Sequence, residues 1–90
     1  MTAAEGALLV TLYTRPGCHL CDDAKAVILP LLEEFRATLR EVNIDEDPQL
    51  AARYGLDIPV IFVGAHKAAK HRVDVNQFRR QLEEARSFHP

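Results

Sequence analysis

Positions 8–21 read Leu-Leu-Val-Thr-Leu-Tyr-Thr-Arg-Pro-Gly-Cys-His-Leu-Cys and join a short apolar run to a closely spaced pair of cysteines. The run Leu8–Tyr13 is rich in strand-forming residues, and Thr14-Arg15-Pro16-Gly17 has the composition of a turn. Cys18 therefore follows a strand and a tight turn. It is predicted to stand at the start of a helix, with Cys21 one turn further in.

The helix predicted after the cysteines spans Asp22 to Ala37. Its apolar residues recur at the i, i+3, i+4, i+7 spacing of one buried face: Ala24, Val27, Ile28, Leu31, Leu32 and Phe35. Asp22 and Asp23 in the first turn and Arg36 near the end match the direction of the helix macrodipole. Pro30 lies inside the pattern and is expected to kink the helix, because it removes one backbone hydrogen bond.

The middle of the chain predicts a strand and a short helix. Leu39–Ile44 alternates in polarity and predicts a second strand with core positions at Val42 and Ile44. Asp47-Pro48 predicts the start of a short helix, with Asp as the N-cap and Pro as the first helical residue, and Gly55 is expected to end it.

The C-terminal third is predicted to add two strands and a final helix. Val60–Val63 is a continuous β-branched and aromatic run, typical of a buried strand, and Lys67–Val73 is predicted to be a polar edge strand. Asp74 is the expected N-cap of a helix that runs to about Arg86 and turns four side chains toward the core: Val75, Phe78, Leu82 and Ala85. The predicted order is β-α-β-α-β-β-α, in which a parallel βαβ unit and a hairpin make a mixed sheet.

The bulk composition fits one globular domain and gives no support for binding to nucleic acid or to an anionic membrane. Ninety residues support a single domain over residues 1–90 with its core at about 8–87, and a core of this size does not require a partner chain. Lys plus Arg number 11 and Asp plus Glu number 13, so the net charge of −2 gives no electrostatic basis for binding nucleic acid or an anionic membrane. Met1–Gly6 lacks the basic segment of a secretory signal, so we expect a cytoplasmic protein, although a mature fragment of a longer precursor would look the same. Because the core does not require a partner chain, we expect a monomer.

The chemistry of the sequence is concentrated in its two cysteines. Two cysteines placed at random in a chain of this length would stand three apart only roughly 2% of the time. Helical residues three apart lie on one face, with Cα atoms within the ~4.4–6.8 Å that a disulfide needs. Because a helix N-terminus favours the thiolate, Cys18 is predicted to attack and Cys21 to resolve. Arg15 would support this thiolate, whereas Asp22 and Asp23 would oppose it.

The cysteine pair is also compatible with roles that involve no catalysis. Two buried structural cysteines are one such role. A structural zinc site needs four ligands and typically a second cysteine pair, which the chain lacks, and its histidines are scattered: His19, His66, His71 and His89. No metal ligand is therefore predicted within one chain, although a metal or cluster shared between two chains is a further alternative.

The segment Tyr13–Cys21 resembles the active-site segment of glutaredoxins, which has a basic residue three positions before the first cysteine, as Arg15 stands here. Ile58-Pro59 resembles the cis-proline of that family, which faces the active site. The motif Cys-His-Leu-Cys, together with Asp45-Glu46-Asp47-Pro48 and Tyr54-Gly55, is similar to a small glutaredoxin-like group. The resemblance extends over nearly the whole chain.

The resemblance implies an α/β, thioredoxin-like fold, with a four-stranded mixed sheet flanked by helices. It implies catalysis by Cys18 and Cys21 and a cis bond at Ile58-Pro59. The backbone of Ile58 would then lie beside Cys18, where an incoming peptide or glutathione pairs with it as an added strand. No cofactor is expected apart from glutathione as a reductant.

The sequence departs from glutaredoxins before the last helix. The family usually carries a Gly-Gly pair there, where the glutathione carboxylate meets helix N–H groups, but this chain has His71-Arg72-Val73-Asp74. A helix N-terminus attracts an anion, whereas Val73 is bulkier than Gly and Asp74 is itself anionic. Arg72 would then be the carboxylate partner, and the alternative is that Arg72 is a solvated surface residue. The residues predicted to bind substrate or glutathione are accordingly Arg15, Ile58, Pro59, Arg72 and Asp74.

The leading hypothesis is a thiol–disulfide oxidoreductase that reduces protein disulfides or glutathione mixed disulfides. Its expected partners are disulfide-containing proteins or glutathione. One alternative is a dimer that binds an iron–sulfur cluster through Cys18, and another is a non-catalytic interaction module of the thioredoxin fold.

Overall fold

Residues 8–87, which the computed structural model describes, form a four-stranded sheet with helices on both faces. The elements are β1 (Leu9–Thr14), α1 (His19–Glu34), β2 (Thr38–Asn43), a 3₁₀ helix (Ile44–Glu46), α2 (Pro48–Tyr54), β3 (Val60–Val63), β4 (His66–Lys70) and α3 (Val75–Ser87). The spatial order of the strands is β2-β1-β3-β4. β1 is parallel to β2 and antiparallel to β3, and β3 forms an antiparallel hairpin with β4. The predicted order of elements and the mixed sheet are confirmed.

The two faces of the sheet pack on different helices. On one face, Val10 and Leu12 of β1 are fully buried against α1 and α3, in a cluster that includes Ile28, Phe78 and Leu82. On the other face a smaller cluster joins Ile44, Tyr54 and Val60, with Tyr13 and Phe62 packed against it. Successive side chains of β1 thus point to opposite faces of the sheet, as the pleat of a strand requires.

Two helices begin as their sequence signals predict. The Asp47 carboxylate accepts the Gln49 N–H at 2.9 Å at the start of α2, where Pro48 is the first helical residue. The Asp74 carboxylate accepts the Gln77 N–H, also at 2.9 Å, at the start of α3. Each carboxylate satisfies a backbone donor that has no partner inside its helix.

α1 begins and ends three residues before the predicted bounds of Asp22 and Ala37. Its end is a Schellman motif: the N–H of Ala37 donates to Leu32 at 2.8 Å, and the N–H of Arg36 donates to Glu33 at 3.2 Å. Arg36 has φ 55° in this motif, a conformation that usually calls for Gly. Because Arg36 stands where Gly is usual, the sequence did not indicate the end of the helix. α1 continues through Pro30.

Other predicted details differ from the structure. Val75, expected in the core, is 45% exposed, because it is the first residue of α3 and lies one turn before the buried face at Phe78. Ile44 is buried as predicted, but it belongs to the 3₁₀ helix rather than to β2, and Val42 is only half-buried. Val60–Val63 is confirmed as a buried strand.

The strand β4 lies at one edge of the sheet, as expected, but it spans His66–Lys70 rather than Lys67–Val73. The strand ends there because His71 takes φ 66° and leaves the extended conformation. The register between β3 and β4 shifts between Ile61 and Phe62, a β-bulge that bends the edge. Among the residues described, no helix is both long enough and apolar enough to cross a membrane.

The contrast between two residues of α3 gives a test of this packing. Leu82→Ala is expected to lower the free energy of unfolding by about 2–5 kcal/mol, because it leaves a cavity in a fully buried site. Val75→Ala on the same helix is expected to change it by less than about 0.5 kcal/mol, because the side chain is exposed. Urea denaturation of the oxidised protein measures both, and equal losses would contradict the assigned faces of α3.

Candidate functional site

The registers of three strands bring the chemistry-bearing segments to one end of the sheet. Thr14, the last residue of β1, pairs with Asn43, the last residue of β2, because the two strands are parallel. Tyr13 pairs with Val60, the first residue of the antiparallel β3. The turn before α1, the 3₁₀ helix after β2 and the loop that ends at Pro59 therefore all lie at the carboxyl end of β1.

Cys18 and Cys21 are joined by a disulfide, with 5.2 Å between their Cα atoms. Cys18 is the N-cap of α1, in extended backbone geometry, and Cys21 lies in the first helical turn. The prediction that the two cysteines lie close enough to form a disulfide is therefore confirmed. The pair closes within one turn of a helix start, without contributions from distant segments.

The two sulfurs have different surroundings. The Cys21 N–H donates to the Cys18 Sγ at 3.1 Å, so an N–H group that the helix leaves unsatisfied points at this sulfur. Cys18 is half-buried, whereas Cys21 is only 2% exposed. Because the thiolate is the reactive form, the arrangement favours Cys18 as the attacking sulfur and shields Cys21.

A tight turn presents Cys18. The Cys18 N–H donates to the carbonyl of Arg15 at 3.3 Å, which closes the turn through Pro16 and Gly17. Gly17 has φ 80°, and this fits a type II turn, with Pro at its second position and Gly at its third. A side chain at position 17 would strain this backbone.

The Arg15 side chain is engaged by a carboxylate rather than left free beside Cys18. Its Nη2 and Nε donate to Asp45 Oδ1 at 2.9 and 3.1 Å, and Nε also lies 3.3 Å from Oδ2. A shallow groove beside the turn has an acidic lining that includes Asp22, Glu41 and Glu46. Asp45 thus neutralises the positive charge with which Arg15 was expected to support the Cys18 thiolate.

The peptide bond Ile58-Pro59 is cis, as the resemblance implied. Pro59 is fully buried, and its carbonyl accepts the His71 N–H at 2.8 Å. The Ile58 N–H donates to the carbonyl of Tyr54 at 3.1 Å, so an added strand at Ile58 would use its carbonyl. The register places this loop at the end of the sheet that carries Cys18, and direct contact between Pro59 and Cys18 stays a prediction.

Arg72 and Asp74 occupy different positions in the site. Arg72 is exposed and lines a groove of about 200 Å³ together with residues from α1 and the segment before α3: Leu20, Asp23, Ala24, Val27, His71 and Val73. The Asp74 carboxylate instead caps α3. The structure therefore brings Arg72 to the helix that carries the cysteines, whereas Asp74 already accepts a donor that an anion would need.

Sequence reasoning missed two residues of this region. Asp45 is 30 positions from Arg15, and His71, an exposed residue, has its Nε2 3.1 Å from the Leu56 carbonyl and 3.7 Å from the Asp57 carboxylate. The only signal for either was a charged or polar residue near a strand end. Across residues 8–87, no group of three or more His, Cys, Asp or Glu side chains is placed to hold a metal ion; His89 lies outside the described residues.

Comparison with known sequences identifies one family. The sequence model of the glutaredoxin-like domain (DUF836) matches residues 9–83. A glutaredoxin-like protein of Dictyostelium discoideum is 35% identical over 80 residues, which cover 82% of this chain and 74% of the relative.

Solved structures show the same architecture. The X-ray structure of the structural-genomics target XcR50 from X. campestris is 34% identical, with a TM-score of 0.67 over 83% of this chain and 96% of that one. A mutant thioredoxin from Halobacterium salinarum is 20% identical, with a TM-score of 0.64 over 92% of this chain and 78% of that one. The second likeness is one of fold, and the fold is that of thioredoxin.

The different exposure of the two sulfurs predicts unequal reactivity. After reduction, iodoacetamide at neutral pH should label Cys18 faster than Cys21, because the reagent reaches the half-buried sulfur more readily than the buried one. Peptide mapping by mass spectrometry measures both rates in one sample. Faster labelling of Cys21 would reverse the assigned roles, and equally slow labelling would mean that neither thiol is activated.

Proposed function

The chain belongs to the glutaredoxin-like domain family, and from this membership we propose that it is a thiol–disulfide oxidoreductase. The observation that carries the proposal is the asymmetry of the cysteine pair. Cys18 is accessible at a helix start and accepts a backbone N–H, while Cys21 is buried within bonding reach of it. A pair with only a structural role does not require one accessible member.

The proposed reaction has two exchange steps. The Cys18 thiolate attacks one sulfur of the substrate disulfide, whose S–S bond breaks and releases the other sulfur as a thiolate. Cys21, as its thiolate, then attacks Cys18 Sγ in the mixed disulfide. The second substrate thiolate leaves, and the Cys18–Cys21 disulfide forms. Two electrons pass to the substrate, and the two released thiolates take up the protons that the two cysteines lost.

We propose protein disulfides and glutathione mixed disulfides as the substrate class. The groove beside α1 offers Leu20 and Val73 as apolar walls and Arg72 as a cation for a carboxylate. The Ile58 carbonyl is the group that would pair with the backbone of an incoming peptide. The proposed setting is the cytoplasm, where thiols are kept reduced, and the proposed active form is the monomer without a bound cofactor.

The cysteine variants test the reaction. Cys18→Ser is expected to abolish disulfide exchange, because no accessible nucleophile remains. Cys21→Ser is expected to retain the first attack and to accumulate a mixed disulfide, because the resolving thiol is missing. Intact-mass spectrometry after incubation with a disulfide substrate distinguishes the two. Equal loss without a trapped adduct in Cys21→Ser would contradict the proposed sequence of steps.

The role of Arg72 in binding glutathione is tested by comparing glutathione with dithiothreitol as the reductant. Arg72→Ala is expected to slow the reduction of the Cys18–Cys21 disulfide by glutathione by up to about fivefold, the range of an exposed ion pair. Reduction by dithiothreitol, which has no carboxylate, should not change. Arg80→Ala removes the same charge from α3, outside the lining of the groove, and is the control. Equal effects of the two variants would remove Arg72 from the glutathione site.

A further inference from the structure

The ion pair between Arg15 and Asp45 links the turn before Cys18 to the 3₁₀ helix. Both nitrogens of Arg15 that contact Asp45 lie within 3.3 Å of its carboxylate oxygens. Arg15 also holds the turn through its backbone, because its carbonyl accepts the Cys18 N–H. One residue thus closes the turn before the reactive sulfur and carries the positive charge nearest to it in sequence.

The backbone of Asp45 is held by its own segment. The Asp45 N–H donates to Asn43 Oδ1 at 2.9 Å, which caps the 3₁₀ helix at the end of β2. The parallel register of Thr14 with Asn43 sets the separation between this helix and Arg15. Gly55, at the end of α2, lies beside the guanidinium, since a Cβ there would be in ordinary van der Waals contact with Arg15 Nη2 at 3.8 Å.

We propose that Asp45 is a positioning residue that moderates the reactivity of Cys18 by holding and neutralising Arg15. This inference rests on the proposed oxidoreductase function, because it assigns Asp45 a role at the same sulfur. In the intact protein the Cys18 thiolate is stabilised mainly by the Cys21 N–H and the start of α1. The Arg15 charge, cancelled by Asp45, adds little to this stabilisation.

The other charges near the turn do not substitute for Asp45. Asp22 and Glu46 line the groove beside Arg15 and disfavour a thiolate, and neither contacts the guanidinium. Glu41, in the same groove, forms an ion pair with Lys25 at 2.7 Å. Asp45 is therefore the carboxylate whose removal exposes the full charge of Arg15 to its surroundings.

Four proteins separate this role from a general effect of charge: the wild type, Asp45→Asn, Arg15→Gln and the double variant. The readout is the rate at which iodoacetamide alkylates Cys18 in the reduced protein, followed from pH 5 to 9 by mass spectrometry of the Cys18 peptide. Asp45→Asn is expected to alkylate about twofold faster at neutral pH, the effect of unmasking one solvent-screened charge. In the Arg15→Gln background, Asp45→Asn should raise the alkylation rate by no more than the control substitution Glu46→Gln does.

The control is Glu46→Gln, which removes one negative charge from the adjacent position of the 3₁₀ helix without breaking the Arg15 ion pair. The proposal would be overturned if Glu46→Gln raised the Cys18 alkylation rate as much as Asp45→Asn does. It would also be overturned if Asp45→Asn raised the rate as much in the Arg15→Gln background as in the wild type. An unchanged or slower rate in Asp45→Asn would do so as well. Urea denaturation of each variant shows whether the fold is retained.

The dependence on salt gives a second readout. The difference between Asp45→Asn and the wild type should shrink between 0.1 and 1 M salt, because the screening length falls from about 10 Å to about 3 Å. A salt-independent difference would indicate a change in the shape of the turn and would overturn the electrostatic role. Alkylation does not require turnover, so the proposal fails or stands separately from the oxidoreductase function, which the exchange assay with Cys21→Ser tests.

Discussion

β1 is hydrogen-bonded along both edges, in parallel to β2 and antiparallel to β3, and this double pairing controls the placement of the site. Because β2 runs in the same direction as β1, both strands deliver their following segments to one end of the sheet. Because β3 runs in the opposite direction, the segment that precedes it arrives at that same end. The cysteine turn, the acidic 3₁₀ helix and the cis-proline loop are neighbours through register alone. Burial of Val10 and Leu12 fixes that register, since a slip of one residue would turn both toward the wrong face.

The sequence predicted those parts of the fold that depend on local signals. The strand β1, the turn with Pro16 and Gly17, the N-caps Asp47 and Asp74 and the buried strand β3 each have a residue type that only a few conformations accommodate. The end of α1 escaped prediction because Arg36 occupies the left-handed position of a Schellman motif, where hydrogen bonds from the helix hold a residue that does not prefer it.

In the candidate site, too, the sequence predicted only the features that depend on local signals. Cys18 and Cys21 were identified from spacing and position, and their geometry follows from one helical turn. Their partners are set by tertiary register, so the contact of Arg15 with Asp45 was not predictable from a sequence in which Asp45 is one of several acidic residues in a row. His71 was similarly missed, because its contact with Leu56 depends on how the β3–β4 hairpin returns to the loop before Pro59. Contacts between charged or polar groups that are distant in the chain produce no periodic pattern in the sequence.

Both outer strands of the sheet, β2 and β4, have one edge that does not pair within the described part of the chain. Open edges are templates for uncontrolled strand addition, and natural proteins counter this hazard with lysines and irregular backbone. β4 carries Lys67 and Lys70, and its pairing with β3 is interrupted by the bulge at Ile61 and Phe62. Two copies meeting edge to edge along β4 would bring like charges together on a bent ribbon. The fold thereby disfavours self-association into extended sheets at β4.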